Sequence, residues 1–278
     1  MKSKDVRLLD ELERALRQGG LRLVYQPKVN ASTGSLVGVE ALVRWAHSEL
    51  GAIPPVRFVP LAEQHGLIDD LTQWALRTAL RQWREWHNAG LDTSVAVNIS
   101  AMSLERLDFP DLVERLCRAL NVPTDRLVLE LTEGATQPLI NMMDTLTRFR
   151  IKGVGLALDD FGTGYSGLMQ LRKLPFSEIK IDRQFVTDLT TSRDDQVIVR
   201  SVIDLAHGLD LEVTAEGVET VEQLAALRAL GCDLVQGYLL AHPLEAGELV
   251  AWASRHKRRW KLLTRPTEEQ PQARAVSV

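Results

Sequence analysis

Polar side chains occur at or near the end of one apolar, strand-like segment after another in this chain. Seven consecutive segments share the feature, and their polar residues are Glu40, Asn98, Glu130, Asp159 with Asp160, Lys180, Glu216 and Gln236. Burying several unpaired charges in one place is costly, so the pattern indicates that something binds them. Oxygen-rich clusters without His or Cys suit hard divalent cations such as Mg²⁺ or Mn²⁺.

Two divalent cations in such a cluster would stabilise the attacking and leaving oxygens of a phosphoryl displacement. Carboxylates alone would repel a phosphate, so this chemistry requires the metals. Lys180 and Arg44 supply the remaining positive charge. Lys180 is suited to orient or help deprotonate a water molecule, and Arg44 is suited to hold a non-reacting phosphate through two parallel hydrogen bonds.

Three polar residues near these strand ends have simpler interpretations as well. Asn98 can cap a turn without binding anything. Glu133 can provide the negative charge that favours the start of the next helix. Glu219 is expected to begin a helix and to lie behind the residues that contact a ligand.

The adjacent residues Asp159 and Asp160 raise a geometric question, because neighbours on a regular strand point to opposite faces. Both reach one site only if the strand bends, which the following Gly162 and Gly164 permit. Residues 162–167 also satisfy G-x-G-x-x-G, so a dinucleotide-binding turn is an alternative. That motif usually opens the first βαβ unit, whereas here it lies in the middle of the chain. Two aspartates directly before it would also repel a pyrophosphate.

The order of predicted elements indicates a closed α/β barrel. The segments LRLVYQPKV and LVGVEALVRW are separated by a short STG turn, which predicts an antiparallel first pair. After this hairpin, strands alternate with helices, as in a mainly parallel sheet. We predict an N-terminal helix within residues 1–19, the barrel over residues 20–263, and a disordered polar tail over residues 264–278.

Bulk properties limit the classes of function. The 278 residues are enough for one α/β barrel, and the net charge of −4 argues against binding DNA or RNA. Cys117 and Cys232 are expected to be reduced packing residues. No apolar run reaches the length of a membrane span, so we expect a cytoplasmic protein.

A series of motifs resembles the EAL-domain family of cyclic di-GMP phosphodiesterases. The signature triplet is Glu40-Ala41-Leu42, followed by Arg44. The other motifs are YQP (25–27), FVPLAEQHGLI (58–68), VNIS (97–100), ELTE (130–133), DDFGTGYS (159–166), LPFSEIKIDRQFV (174–186), AEGVET (215–220) and QGYLL (236–240). The resemblance extends from about residue 20 to 258. The triplet alone is weak, but the ordered series is specific.

The resemblance implies a modified TIM (β/α)8 barrel with an antiparallel first strand. It also implies hydrolysis of cyclic di-GMP to linear pGpG with two Mg²⁺ or Mn²⁺ ions, and inhibition by Ca²⁺. Lys180 would contact the nucleophilic water, and Gln236 would hold the surrounding water network. The metal ligands carried over from the family are Glu40, Asn98, Glu130, Asp159, Asp160 and Glu216.

The same resemblance implies roles in binding substrate and partners. The substrate-binding positions would be Gln26, Leu42, Arg44, Asp182 and Pro243. Glu133 would steady the loop after the fifth strand, from Phe161 to about Leu171. In the family this loop couples dimerisation to metal and substrate binding, so a homodimer through the loop and the adjacent helix is expected.

Two departures from the family pattern bear on the level of activity. Gly134 stands where the family often has Ser, and GYSGLMQL replaces the frequent GYSSLSYL. Neither removes a metal-binding or water-contacting position. Two other functions stay open: a catalytically silent cyclic di-GMP receptor, and a phosphodiesterase gated by a sensor domain outside this chain.

Overall fold

The computed structural model describes residues 3–132, 142–162 and 171–264, with side chains from residue 7 onward. Its centre is a closed barrel of strands. The strands are β1 (Leu21–Asn30), β2 (Leu36–His47), β3 (Gly51–Ile53), β4 (Ser94–Asn98), β5 (Leu127–Thr132), β6 (Gly155–Phe161), β7 (Glu178–Ile181), β8 (Glu212–Ala215) and β9 (Leu234–Gln236).

The strand order confirms the predicted barrel with an antiparallel first strand. The order is β1-β9-β8-β7-β6-β5-β4-β2-β3, and pairing of β1 with β2 closes the ring. β1 runs antiparallel to both of its neighbours. The strands from β4 to β9 pair in parallel, and β2 is parallel to β4. The short β3 only extends β2 at its edge.

Helices cover the outside of the barrel, as the alternating pattern predicts. They are α1 (Ser3–Gln18), α2 (Pro55–Gln64), α3 (Ile68–Asn88), α4 (Ala101–Leu104), α5 (Phe109–Leu120), α6 (Met143–Ile151), α7 (Arg183–Thr187), α8 (Arg193–His207), α9 (Val221–Ala229) and α10 (Leu249–Leu263). None of the described helices is long and apolar enough to cross a membrane.

The turn between β1 and β2 explains why the first pair forms a hairpin. The Asn30 side chain accepts hydrogen bonds from the backbone N–H groups of Ser32 and Thr33. Gly34 has a φ of 71°, which L-residues adopt at a cost. A Cβ atom on Gly34 would lie 2.2 Å from the ring of Trp260 in α10. The turn is therefore packed tightly against the last helix.

The starts of several helices follow from the local sequence. Residues 101–120 form two helices, and the second begins at Phe109 because Pro110 lies in its first turn, where the proline ring suits a helix start. Ser100 caps the separate short α4. The last helix begins at Leu249, after a short 3₁₀ turn.

Apolar packing forms a main core and a smaller one. The main core lies between the barrel and its surrounding helices. In the smaller core, α1 contributes Leu8 and Leu12, which share a cluster with Trp45 and Phe58. Cys117 and Cys232 are buried and unpaired, as predicted. The predicted tail, residues 264–278, lies outside the described residues apart from Thr264, so the division into helix, barrel and tail remains a prediction.

Candidate active site

The predicted polar residues meet at one mouth of the barrel, because parallel strands end on the same side. Strand register aligns them directly. Asn98 at the end of β4 pairs with Glu130 on β5, and Thr132 pairs with Asp159 on β6. On β7, Lys180 pairs with Thr214 of β8.

Lys180 is the centre of the site and is fully buried. Its Nζ atom lies 2.6 Å from Glu216 Oε1 and 2.9 Å from Glu130 Oε2. It also lies 3.2 Å from Asp159 Oδ2 and 3.5 Å from Glu40 Oε2. One ammonium group therefore contacts carboxylates from four different strands or strand ends.

Amide side chains hold Glu40 from two sides. Asn98 Nδ2 donates to Glu40 Oε1 at 2.8 Å, and Gln236 Nε2 donates to Glu40 Oε2 at 2.7 Å. Gln236 Nε2 also lies 3.2 Å from Gln26 Oε1. Gln26 in turn donates to the carbonyl of Ala241 at 3.4 Å. This chain of hydrogen bonds connects the acidic centre to the loop after β9.

Two overlapping groups of carboxylates can each hold a cation. Oxygen atoms of Glu40, Glu130 and Asp159 lie within 4.8 Å of one another, and so do those of Asp159, Asp160 and Glu216. Asp159 belongs to both groups. Buried Glu130 Oε1 has no hydrogen-bond partner among the described residues. All donors are oxygens, as Mg²⁺ and Mn²⁺ prefer, so the residues present fit two divalent cations.

A bend at the end of β6 brings both aspartates to the site, as the bend hypothesis requires. Asp160 itself has a φ of 56°, and the register between β6 and β7 shifts between Leu158 and Phe161. The backbone N–H of Asp160 donates to Asp159 Oδ1 at 2.9 Å. Because a left-handed conformation is strained for an aspartate, this bend is a feature that the surrounding structure maintains.

Burial and like charges oppose ionisation of most of these carboxylates. Burial raises the pKa of Glu130 well above its usual value, and raises that of Glu216 to about 8. The pKa of Asp160 rises to about 6, through burial and then the nearby Asp159 charge. A bound cation would favour the ionised carboxylates and displace these protons.

Glu40 and Lys180 differ from the other groups. Although burial opposes ionisation of Glu40, the Lys180 charge and the amide hydrogen bonds keep the Glu40 pKa below its usual value. Burial also opposes the charge on Lys180, yet the surrounding carboxylates raise its pKa well above normal. Lys180 is therefore a permanent cation in the metal-free chain.

Two cavities adjoin the cluster. A cleft of about 260 Å³ contains Gln26 and Leu42 together with the acidic residues Glu40, Asp159 and Glu216. A more apolar pocket of about 530 Å³ lies beside it, and Leu42, Arg44 and Asn98 form part of its wall. The two cavities thus share Leu42.

Three of the predicted substrate-binding residues differ from one another in their contacts. Arg44 is half-buried and donates to the carbonyl of Val43 at 3.0 Å. Asp182 caps α7 by accepting a hydrogen bond from the Gln184 backbone N–H. Pro243 is half-buried in the loop after β9. Among the described residues, Pro243 lines neither of the two cavities.

Sequence reasoning missed or undervalued three residues of the cleft. Arg183, Glu219 and Tyr238 line it. Tyr238 is half exposed, and its ring centroid lies 4.0 Å from that of His242. The available signal was position, since each follows one of the strand-end residues Lys180, Glu216 and Gln236 by two or three positions. Glu219 precedes α9, as expected, but it lines the cleft directly.

Several predicted positions belong to segments outside the described residues. Glu133 and Gly134 lie outside the described residues, as do Gly164, Gly167 and Met169. The same holds for most of the loop from Phe161 to Leu171. The proposed roles of Glu133 and of this loop in dimerisation therefore remain predictions.

The fold and site together define a class: TIM-type barrels with an acid-lined mouth suited to two divalent cations. A family model described as "EAL domain" matches residues 9–243. The chain belongs to the EAL domain family. The dinucleotide-binding alternative is thereby set aside, because the aspartates before Gly162 belong to the oxygen cluster of this barrel.

Two of the named relatives come from Pseudomonas aeruginosa. The bifunctional diguanylate cyclase/cyclic di-GMP phosphodiesterase MucR is 42% identical over 250 residues, 89% of this chain and 36% of that protein. The cyclic di-GMP phosphodiesterase NbdA is 43% identical over 249 residues, 89% of this chain and 32% of that protein. The chain thus spans about a third of the length of these relatives.

Solved structures extend the similarity to three dimensions. The phosphodiesterase of MucR in complex with c-di-GMP has a TM-score of 0.82 and 42% identity, and the match covers 87% of this chain and 99% of that one. The EAL enzyme Bd1971, bound to cAMP and cyclic di-GMP, has a TM-score of 0.85 and 31% identity, covering 90% of this chain and 69% of that one.

Proposed function

We propose that this chain hydrolyses one phosphodiester bond of cyclic di-GMP and releases linear pGpG. The main support is the pair of oxygen groups that share Asp159 around the Lys180 ammonium. The relatives MucR and NbdA are named for this activity, and a solved relative binds this nucleotide. The substrate is carried over from these relatives, whereas the site is read from this chain.

The proposed metal ligands are Glu40, Asn98, Glu130, Asp159, Asp160 and Glu216. Mg²⁺ or Mn²⁺ held by these residues would neutralise phosphate charge and lower the pKa of a water molecule. Asn98 and Gln236 would keep the Glu40 carboxylate in a fixed orientation through the hydrogen bonds already present. Ca²⁺ is larger and accepts a looser ligand geometry, so we propose that it binds without supporting turnover.

Lys180 is proposed to orient the attacking water. Its raised pKa keeps it protonated near neutral pH, which favours hydrogen-bond donation over proton abstraction. A lysine base would need a pKa depressed towards neutrality, whereas the carboxylates of the metal-free chain raise the pKa of Lys180. We therefore propose that Lys180 orients the water rather than deprotonating it.

The substrate is proposed to lie across the two cavities. Arg44 would bind phosphate or a base edge, and Leu42 would separate the acidic cleft from the apolar pocket. The pocket of about 530 Å³ has room for a purine base. Gln26, Asp182 and Pro243 are proposed to contact the nucleotide from the other side of the barrel mouth.

The assembly and cellular context are also proposals. We propose a cytoplasmic homodimer that uses the loop from Phe161 to about Leu171 and the adjacent helix. A sensor domain elsewhere in the full protein would gate the activity, since the relatives are about three times longer than the matched region. The N-terminal helix, barrel and tail are proposed as the three parts of this chain.

Incubation of the purified chain with cyclic di-GMP, followed by nucleotide chromatography, tests the proposed function. We expect pGpG with Mg²⁺ or Mn²⁺ and suppression of the product by Ca²⁺. Tight binding of cyclic di-GMP without product would favour the silent receptor instead. Glu130→Gln is the matched variant, because it removes one carboxylate charge while nearly preserving side-chain volume.

A further inference from the structure

A second buried ion pair lies inside the barrel, apart from the Lys180 cluster. Lys28 Nζ lies 2.6 and 2.8 Å from the two carboxylate oxygens of Glu178. Both residues are at most 5% exposed. The hydroxyl of Thr214 donates to Glu178 Oε1 at 2.6 Å. The pair is therefore enclosed and hydrogen-bonded, and neither the metal ligands nor the proposed substrate contacts include it.

The pair lies beneath the Lys180 cluster, further from the barrel mouth. Glu178 precedes Lys180 by two residues on β7, so both side chains point inward from the same face. Lys28 comes from β1, where it pairs in register with Gly38 and Gln236. A Cβ atom on Gly38 would lie 3.5 Å from Lys28 Cε. The lysine stem thus fills space that small neighbours leave inside the barrel.

Stability alone does not account for this pair. Barrel interiors are usually filled by branched apolar side chains. Replacing a buried ion pair by apolar residues of similar volume is often neutral or stabilising, because desolvation offsets the attraction between the charges. The position of the pair beside a charged site suggests an electrostatic role.

The net charge of the neighbouring metal site indicates what this electrostatic role would be. Five carboxylates and the Lys180 ammonium leave four negative charges, which two divalent cations would neutralise. Lys28 lies next to this site, because it pairs in register with Gln236, whose side chain donates a hydrogen bond to Glu40. Without a counter-ion, Lys28 would add a positive charge to a site that is already neutral when loaded.

We propose that Glu178 is a positioning residue for the metal site. Its carboxylate cancels the Lys28 charge, so that the barrel floor, meaning the Lys28–Glu178 pair beneath the cations, is neutral. This inference rests on the proposed two-cation function. It predicts the direction in which the affinity for divalent cations changes in each variant, and not only that affinity is lost. Removing the Glu178 charge repels divalent cations, whereas removing the Lys28 charge does not.

The test measures Mn²⁺ dissociation constants by calorimetry at pH 8 without substrate, and uses circular dichroism to check folding. In Glu178→Gln, the amide still accepts a hydrogen bond from Lys28, but the ammonium is no longer neutralised. We expect this variant to bind Mn²⁺ about tenfold more weakly or worse, as Coulomb repulsion in a protein interior implies. Lys28→Met should bind Mn²⁺ at least as tightly as the wild type.

The double variant Lys28→Met/Glu178→Gln separates charge from packing. We expect it to recover Mn²⁺ binding to within about threefold of the wild type, because the floor is neutral again. Glu212→Gln is the control, since Glu212 pairs with Glu178 in register but lies at the exposed start of β8. That variant should bind Mn²⁺ like the wild type.

Equal weakening in Glu178→Gln and the double variant would overturn the proposal and indicate a packing role. Unchanged binding in Glu178→Gln would overturn it as well. If Glu178→Gln does not fold, weaker Mn²⁺ binding by Lys28→Met contradicts the predicted sign. Because no substrate is present, a wild-type chain that binds Mn²⁺ but leaves cyclic di-GMP intact overturns only the proposed function.

Discussion

At the residue scale, Lys180 joins the carboxylates into one site. Its ammonium contacts Glu216, Glu130, Asp159 and Glu40, which would otherwise repel one another in a buried space. In the proposed reaction the cations take over much of this neutralisation, and the lysine remains as a fixed hydrogen-bond donor. The effects of the lysine on folding, metal binding and turnover can therefore be separated by experiment.

Replacing Lys180 by Met should slow hydrolysis more than it weakens nucleotide binding. We expect kcat to fall by about 100-fold or more, within the usual range for a positioned proton-handling group. The dissociation constant of cyclic di-GMP in Ca²⁺ should change by only a few fold. Lys257→Met, at an exposed position of α10, is the control. Retention of the full rate by Lys180→Met would contradict its assigned role.

The raised pKa values predict a pH-dependent effect of metal on stability. Burial raises the pKa of Glu216 to about 8 and that of Asp160 to about 6. In the unfolded chain these groups ionise near pH 4. At these two carboxyl groups, the folded, metal-free chain thus binds more protons than the unfolded chain from about pH 4 to 8. These groups therefore reduce stability as the pH rises through that window.

Bound Mn²⁺ must displace those protons, so its stabilising effect should grow with pH. We expect the increase in Tm caused by saturating Mn²⁺ to be larger at pH 8 than at pH 6. His256 titrates in the opposite sense, because burial lowers its pKa to about 4. Comparing samples with and without metal at each pH cancels this contribution. Glu216→Gln should flatten the pH dependence, and an equally steep dependence in that variant would contradict the assignment.

At the element scale, each strand delivers its functional side chain through a particular local geometry. The register of the parallel strands aligns Asn98 with Glu130. The left-handed Asp160 turns the end of β6, so that two adjacent aspartates face one site. The β1–β2 turn fixes the antiparallel hairpin against α10, and the loop after β9 closes onto β1 through Gln26 and Ala241.

The β1–β2 turn provides a test of this packing. Gly34→Ala should destabilise the chain by about 2–4 kcal/mol, from the left-handed backbone together with overlap against Trp260. Gly51→Ala is a matched control, because Gly51 has the same φ of 71° but open space around it. Its cost should be about 1 kcal/mol. Equal losses of unfolding free energy in urea would show that Trp260 does not constrain the turn.

The strand ends and the barrel were predictable from the sequence, whereas the loops between them were not. A polar residue at the end of an apolar strand is a local signal, and the alternation of strands and helices determines where the strand ends meet. Arg183, the first residue of α7, and Tyr238, after β9, reach the cleft through turns of the chain whose paths are set by tertiary contacts. Lys28 and Glu178 gave no signal, because a single charge in a strand usually faces solvent.

At the scale of the whole molecule, the barrel and α1 pack as one body with two apolar clusters. The smaller cluster joins α1 to β2 and α2, and both of these elements also contribute residues to the pocket beside the active site. The N-terminal helix is therefore an integral part of the structure around the mouth of the barrel.

Truncation of an α1 anchor should affect overall stability. Leu12 is 1% exposed, and Leu12→Ala should cost about 2–5 kcal/mol through lost burial and a residual cavity. Arg14→Ala, on the exposed face of α1, should change stability by less than about 0.5 kcal/mol. Denaturant unfolding measures both. A cost for Leu12→Ala as small as that of the Arg14 variant would mean that α1 is not anchored as described.

The central claim is that the strand ends build one site for two cations that share Asp159. Anomalous diffraction from crystals grown with Mn²⁺ tests it most directly. We predict two peaks at the barrel mouth, one beside Glu40 and Glu130 and the other beside Asp160 and Glu216, with Asp159 between them. A single peak, or no peak at this mouth in crystals that contain Mn²⁺, would contradict the two-cation account.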